Sequence, residues 1–305
     1  MKQPTVVALG FFDGVHLGHA ALLRKARAQA DVLGIPAVAM TFDIHPDELV
    51  RGKSVPLLYP REERQRLLKA HGMDDVVFLH FDRDMMQMPW ERFLDDYLIG
   101  TLHAACLVCG YDYRFGYRGE GTAQMLQKAC RDRGLGCEVI EKVEVNGETV
   151  SSTRIRQLIS DGDVAKARQF LGHFPFLSGT VIHGSGLGRT LGTPTANLQI
   201  PPEILLPKSG VYISLAHTPQ GSFPAVTNIG RRPTVGGTEL TVEPWLLDYS
   251  GDLYGQPIRL ALCEFLRPEQ KFDTLADLKA EILRNARQTV AYFETHPGLE
   301  TEEQI

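Results

Sequence analysis

The sequence has no apolar stretch that approaches the length of a membrane-spanning helix, so a helical integral membrane protein is not expected. It has no surplus of positive charge either. Its 32 Lys and Arg against 37 Asp and Glu leave a formal charge of −5, which argues against a general nucleic-acid binder. A small anionic ligand stays open, because local loops rather than net charge hold phosphates. Cysteine is scarce, with five residues at 106, 109, 130, 137 and 263. Cys106 and Cys109 form a CxxC, but no later CxxC or His pair completes a ligand set. The run Ala104–Cys109 therefore reads as a buried strand rather than a zinc or redox site. There is no motif for an activated Ser or Cys nucleophile, no internal repeat and no low-complexity tract. Met1–Thr5 runs into a strand-like segment without signal-peptide architecture. The expected compartment is the cytoplasm, with neither membrane nor nucleic acid as a partner.

What is present is an ordinary globular composition, 43% hydrophobic and 23% charged, over 305 residues, a length that makes two domains the natural expectation. The first half alternates strand-like and helix-like segments. Thr5–Leu9 and Ala37–Phe42 are short apolar runs suited to a buried parallel sheet. Between them, Ala20–Leu33 carries apolar residues at helical spacing, with Gly34 as a stop. The theme repeats as helix Arg61–His71, strand Asp75–Phe81, helix Pro89–Leu102 and strand Ala104–Cys109. Helix Gly121–Arg133 and strand Cys137–Val143 complete it. This alternation predicts an α/β fold with a doubly wound parallel sheet that binds ligands at the carboxyl ends of its strands. Ser151–Leu171 reads as a helical connector. Near residue 175 the pattern changes to short β-like runs punctuated by Gly and Pro, which predicts an antiparallel barrel or sandwich, then a C-terminal helix over Leu275–Phe293.

The strongest local signal is Gly10–His19, GFFDGVHLGH, between the first strand and the first helix. Gly10, Gly14 and Gly18 allow close backbone approach to a phosphate, and the helix start adds unpaired N–H groups. His16 and His19, three apart, can face one ligand and donate to a phosphate that gains charge in a transition state. The plainer alternative is one buried and one solvated histidine. Position favours function, since HxGH after a first strand resembles the nucleotidyltransferase superfamily. Val150–Arg156, VSSTRIR, adds the hydroxyls of Ser151, Ser152 and Thr153 and the guanidiniums of Arg154 and Arg156 at a helix start. Taken alone it would be a simple N-cap. Together with Phe42–Pro46 and Gly110–Gly116, these motifs resemble the FAD synthetase module of prokaryotic bifunctional riboflavin kinase/FAD synthetases. The resemblance implies direct attack of the FMN phosphate on the α-phosphorus of ATP, with His16 and His19 catalytic. It implies nucleotide contacts from Gly10, Phe11, Asp13, Gly14, Gly18 and the VSSTRIR residues. Asp112 and Arg114 join them, with a structural ion pair as their alternative.

The second half carries Gly179–Arg189 and Leu191–Leu198, the latter containing PTAN. Gly184, Gly186 and Gly188 do not make a dinucleotide fingerprint, because the spacing is incomplete and Pro194 and β-like segments follow. A phosphate-covering loop or a plain hairpin loop are the two readings. Thr195 and Asn197 alternate in an extended segment, so their oxygens can point one way toward Mg²⁺. The later motifs, Leu206–Tyr212, Asn228–Thr234, Val242–Asp248, Asp252–Gly255 and Leu266–Glu269, follow PTAN in an order that resembles the riboflavin kinase domain of the same family, a small antiparallel β-barrel. That resemblance implies Thr195 and Asn197 as metal and phosphate ligands and Glu243 as general base. It implies Gly184, Gly186, Gly188, Arg189, Pro194, Asn228 and Arg267 as ATP and flavin contacts. The substrates and products would be riboflavin, ATP, FMN and FAD, the domains 1–172 and 173–305, and the assembly a monomer or weak oligomer. Three departures stand out: Thr193 where the family has Phe, Pro244–Trp245 where it has His at the second position, and Asn285 where Asp is common. The rivals are a nucleotidyltransferase acting on phosphopantetheine or nicotinamide mononucleotide, a tRNA synthetase, and a flavin-binding regulator without catalysis.

Overall fold

A computed structural model describes residues 3–184, 192–234 and 237–299. The chain forms two compact units that part between Ser152 and Thr153.

In the first unit β1 (Thr5–Leu9) leads to α1 (Leu17–Leu33), β2 (Ala37–Phe42), α2 (Pro46–Arg51), α3 (Arg61–Ala70) and β3 (Asp75–Leu79). Next come α4 (Arg83–Gln87) and α5 (Trp90–Arg92), which runs on as a π-helical segment, Phe93–Thr101. β4 (Ala104–Gly110) follows, then a small antiparallel pair, β5 (Arg114–Phe115) with β6 (Gly121–Thr122). The unit continues with α6 (Ala123–Asp132), β7 (Gly136–Ile140) and a hairpin of β8 (Glu144–Val145) and β9 (Glu148–Thr149).

The main sheet is parallel throughout, in the order β3-β2-β1-β4-β7. Val7, Leu9, Leu107 and Cys109 share one face and pack with α6 and the π-helical segment. No residue of α1 enters that cluster, yet α1 packs along β1 and β4, so helices cover both faces. The chain builds outward from β1 through β2 to β3, then returns to place β4 on the other side of β1. The carboxyl ends of β1 and β4 therefore flank the point where strand order reverses, the expected crevice for a ligand. Cys106 and Cys109 are buried in β4, where burial pushes their thiols up to about 11 and about 12.

α7 (Ser152–Asp161) starts at the boundary, with all but its first residue in the second unit, and α8 (Val164–Leu171) follows. The predicted connector is thus two helices. Gly162, at φ 84°, ends the first, and the Asp163 carboxylate caps the second by accepting from the Lys166 amide at 3.0 Å. β10 (Phe176–Ile182), β11 (Asn197–Gln199), β12 (Gly210–Thr218), β13 (Gly221–Thr234), β14 (Gly237–Leu246) and β15 (Pro257–Arg267) close an antiparallel barrel in the order β10-β11-β14-β13-β12-β15. The terminal helix α9 (Leu275–Thr295) starts at a Thr274 cap whose hydroxyl accepts from the Asp277 amide at 3.1 Å. A barrel, not an open sandwich, resolves the alternative left by the sequence. The helix predicted over Pro89–Leu102 exists, but most of it is π-wound, with the Leu102 amide donating to the Tyr97 carbonyl at 2.9 Å.

Candidate active sites

The loop from Gly10 to His16 turns the chain from the carboxyl end of β1 into α1 through three positive-φ residues, Phe12 (57°), Gly14 (84°) and Val15 (41°). Such strain is held only where the surroundings over-determine it. Here Asp13, 1% exposed, accepts from the Leu58 amide at 3.0 and 3.1 Å and the Tyr59 amide at 3.3 Å. The Asp13 carboxylate thus anchors the loop to the 57–60 segment. His16 caps α1, its Nδ1 accepting from the His19 amide at 3.3 Å. The two imidazoles stack 3.6 Å apart and 11° from parallel. A Cβ on Gly18 would stand 3.1 Å from the His16 ring, so the glycine of HxGH is what lets that ring fold over the helix start. Burial, then the neighbouring His16 and His71, hold the His19 imidazole well below its ordinary value, so it is neutral near pH 7.

The Ser152 hydroxyl donates to the Asp13 carbonyl at 2.8 Å, which brings the start of the SSTRIR run to the loop. Ser151 is half-buried beside it in sequence. Thr153 is exposed and Arg154 and Arg156 are half-buried on α7, within the second unit. Asp112 and Arg114 are both exposed, and no ion pair between them is found among the described residues.

Sequence reasoning missed a cleft of about 590 Å³ in this unit. Phe42, Phe81, Phe93, Phe115, Met85 and Met86 wall it, and the exposed Arg51, Arg114 and Arg118 are also in its lining. These residues come from five separate segments, so no contiguous motif announces them. Arg114 is the one predicted residue among them. Also missed was Arg64, a fully buried guanidinium on α3.

In the barrel, register assembles the second site. Leu198 pairs with Val242, and the Ala196 amide donates to the Pro244 carbonyl at 2.9 Å, which sets Asn197 across from Glu243. Glu243 pairs with Asn228, Asn228 with Val211, and Val211 with Arg267. Directly opposed residues point to the same side of a sheet. Asn197, Glu243, Asn228 and Arg267 therefore lie in one row across the barrel, on the face whose Val211, Trp245 and Leu247 pack with Ala286 of α9. Arg267 reaches that helix, its Nε donating to Asn285 Oδ1 at 3.2 Å. A Cβ on Gly184 would collide with the Asn197 amide at 2.1 Å, so the backbone at 184 lies directly against that side chain. Pro194 and Thr195 line a cleft of about 260 Å³ with Tyr249, Asp252 and Tyr254. Gly186, Gly188 and Arg189 lie outside the described residues. Pro244 keeps its place on β14, paired with Thr227, and Trp245 packs as an ordinary apolar residue under α9. Thr193 is buried.

A FAD synthetase family model matches residues 1–154, and a riboflavin kinase model matches residues 171–293. Bifunctional riboflavin kinase/FMN adenylyltransferases are similar along nearly the whole chain. That of Listeria monocytogenes is 34% identical over 94% of this chain and 92% of its own. That of Escherichia coli is 37% identical over 96% and 94%, and that of Bacillus subtilis 32% over 96% and 93%. A solved structure described as a macrolide-efflux protein from Streptococcus pneumoniae superposes with a TM-score of 0.87 at 31% identity, over 95% of this chain and 94% of that one. Among the described residues no helix is long and apolar enough to cross a membrane. With two family models in tandem and full-length relatives of one description, the chain belongs to the bifunctional riboflavin kinase/FMN adenylyltransferase family, its FAD synthetase module first and its riboflavin kinase module second.

Proposed function

We propose that the chain phosphorylates riboflavin to FMN at the barrel row and adenylylates FMN to FAD at the Gly10–His19 loop. The row Asn197–Glu243–Asn228–Arg267 is the observation that carries the kinase half. Glu243 takes the proton as the ribityl hydroxyl oxygen bonds to the γ-phosphorus of ATP and ADP leaves. Thr195 and Asn197 offer hard oxygen donors beside Glu243, a donor set that suits Mg²⁺ shared with nucleotide phosphates and water. Bound there, the ion would neutralise phosphate charge. Gly184 and Pro194, with Gly186, Gly188 and Arg189, are assigned to the same nucleotide.

In the first module an FMN phosphate oxygen attacks the α-phosphorus of ATP. The bond to the bridging oxygen breaks, and pyrophosphate leaves with its electron pair. Nothing in this step needs a protein nucleophile, so positioning and charge stabilisation suffice. Neutral His19 and the capping His16 serve as donors to the phosphates. Gly10, Phe11, Gly14 and Gly18 shape the loop, and Ser151, Ser152, Thr153, Arg154 and Arg156 grip phosphate oxygens. The aromatic cleft, with Arg114 in its lining, suits a flat, apolar isoalloxazine, and Asp112 is assigned to the nucleotide.

The functional modules are taken as 1–172 and 173–305. The chain is taken as a cytoplasmic monomer or weak oligomer that binds neither nucleic acid nor membrane. The testing experiment is a chromatographic time course of the purified protein with riboflavin, ATP and Mg²⁺. FMN should rise first and FAD after it. FMN alone would refute the loop as the adenylylating site, and FAD formed only from added FMN would refute an active kinase.

A further inference from the structure

Arg64 stands out among the buried ionisable groups that the chemistry above does not use. It is 0% exposed, and no carboxylate forms an ion pair with it among the described residues. Its Nη1 donates to the Phe11 carbonyl at 3.0 Å and lies 3.5 Å from Thr41 Oγ1, and its Nη2 donates to the Phe42 carbonyl at 3.3 Å. The Thr41 hydroxyl donates to the same Phe11 carbonyl at 2.8 Å. The guanidinium sits 4.5 Å from the centre of the Phe11 ring, while its Nε is buried with no hydrogen-bond partner. Burial lowers its pKa, and the Asp13 charge opposes that.

The two carbonyls it bridges belong to different parts of the site. Phe11 lies in the loop read above as phosphate-binding, and Phe42 is a wall of the aromatic cleft. We propose that Arg64 is a positioning residue for adenylyl transfer, a fork that holds the phosphate side and the flavin side of the site in register.

Asp13, Asp43 and Glu62 act on the guanidinium only at a distance, and a buried cation without a direct ion pair is a costly way to make hydrogen bonds that neutral donors supply as well. The cost is offset where bound anions complete the charge balance. A triphosphate and the FMN phosphate, brought to the carboxyl ends of β1 and β2, do so through a medium of low dielectric. Lysine carries the same charge but is a point donor that cannot fork across two carbonyls. The inference rests on the proposed reading of the Gly10–His19 loop and the cleft, and the test separates the two.

The bifunctional chain supplies its own control, since FMN formation from riboflavin reports on the other module. Arg64→Met should lower kcat for FAD formation from FMN by about 100-fold, the loss expected when reacting atoms are misplaced by about 1 Å. The KM values for ATP and FMN should change less than about threefold, and FMN formation should be unaltered. Arg64→Lys should recover part of the rate, to within roughly tenfold of the parent. Met and Lys variants that both make FAD within about twofold of the parent would overturn the inference. So would parallel losses of FAD and FMN formation, or KM values that rise while kcat holds. His16→Ala, measured alongside, separates the readings. If it keeps FAD synthesis, the loop reading fails and this one with it. If it loses FAD synthesis while Arg64→Met keeps it, this inference alone fails.

Discussion

A carboxylate on an alternating strand is commonplace, and Glu243 became distinctive only when register set Asn197 on one side of it and Asn228 on the other. Glu243→Gln keeps the shape and removes the proposed base. FMN formation should fall by about 10²- to 10⁴-fold, with FAD synthesis from supplied FMN intact, each measured in its own assay. Asp13 carries a different burden. Asp13→Ala strands the Leu58 and Tyr59 amides in a buried setting, at a cost of about 1–3 kcal/mol, and thermal unfolding should show a lower Tm. An unchanged Tm would mean the anchor is dispensable. The stacked His16–His19 pair bears on pH. Burial and the stacked neighbour keep the His19 ring neutral through the neutral range. His19 should therefore put no ionisation into the kcat/KM profile for FMN between about pH 7 and about pH 8. An inflection above about pH 7 that His19→Gln removes would contradict this.

The elements that frame the aromatic cleft are tied by single contacts with calculable signs. The exposed His80 ring meets the Asp43 carboxylate at 2.6 Å, joining the end of β2 to the end of β3. The hydrogen bond and charge of Asp43 raise the His80 pKa above its ordinary value. Burial alone would raise the Asp43 carboxyl, but hydrogen bonds from His80 and from the Phe81 and Ile44 amides hold it lower. Because the folded-state pKa of His80 is raised, its contribution is complete below about pH 6.5 and fades as pH climbs through the folded value. His80→Gln should flatten the dependence of Tm on pH between about pH 6 and 8. A curve with the parent's slope would dismiss the pair. Gly116, at φ 73°, lines the same cleft, and a Cβ there would lie 2.4 Å from the Cβ of Trp90. Gly116→Ala should cost about 3 kcal/mol from backbone strain and overpacking together, visible in chemical denaturation.

For the molecule as a whole, periodicity carried far. Thr5–Leu9, Ala37–Phe42 and Arg61–Ala70 appear where apolar spacing and glycine stops put them, and the change of texture near residue 175 marks the start of the barrel. What stayed illegible was what depends on tertiary partners. The π winding of Phe93–Thr101 leaves no trace in a hydrophobic pattern, and the walls of the aromatic cleft are scattered over more than seventy residues. Arg64 reads in sequence as one more charge on REERQR, whereas the fold makes it the most deeply enclosed arginine or lysine among the described residues of its unit. The members of the barrel row were singled out in sequence one at a time but not as a row, because pairing partners cannot be read from one strand. That row also says how such a chain can vary by insertion and deletion. Side chains alternate along a strand, so one residue added within β14 before Glu243 would turn the carboxylate to the opposite face of the barrel, away from Asn197, Asn228 and Arg267. The hairpin tip at Pro219–Gln220, beyond the last pair Thr218–Gly221 of β12 and β13, carries no such phase. Length is therefore free to drift at the barrel's turns and is fixed within the strands that carry the row.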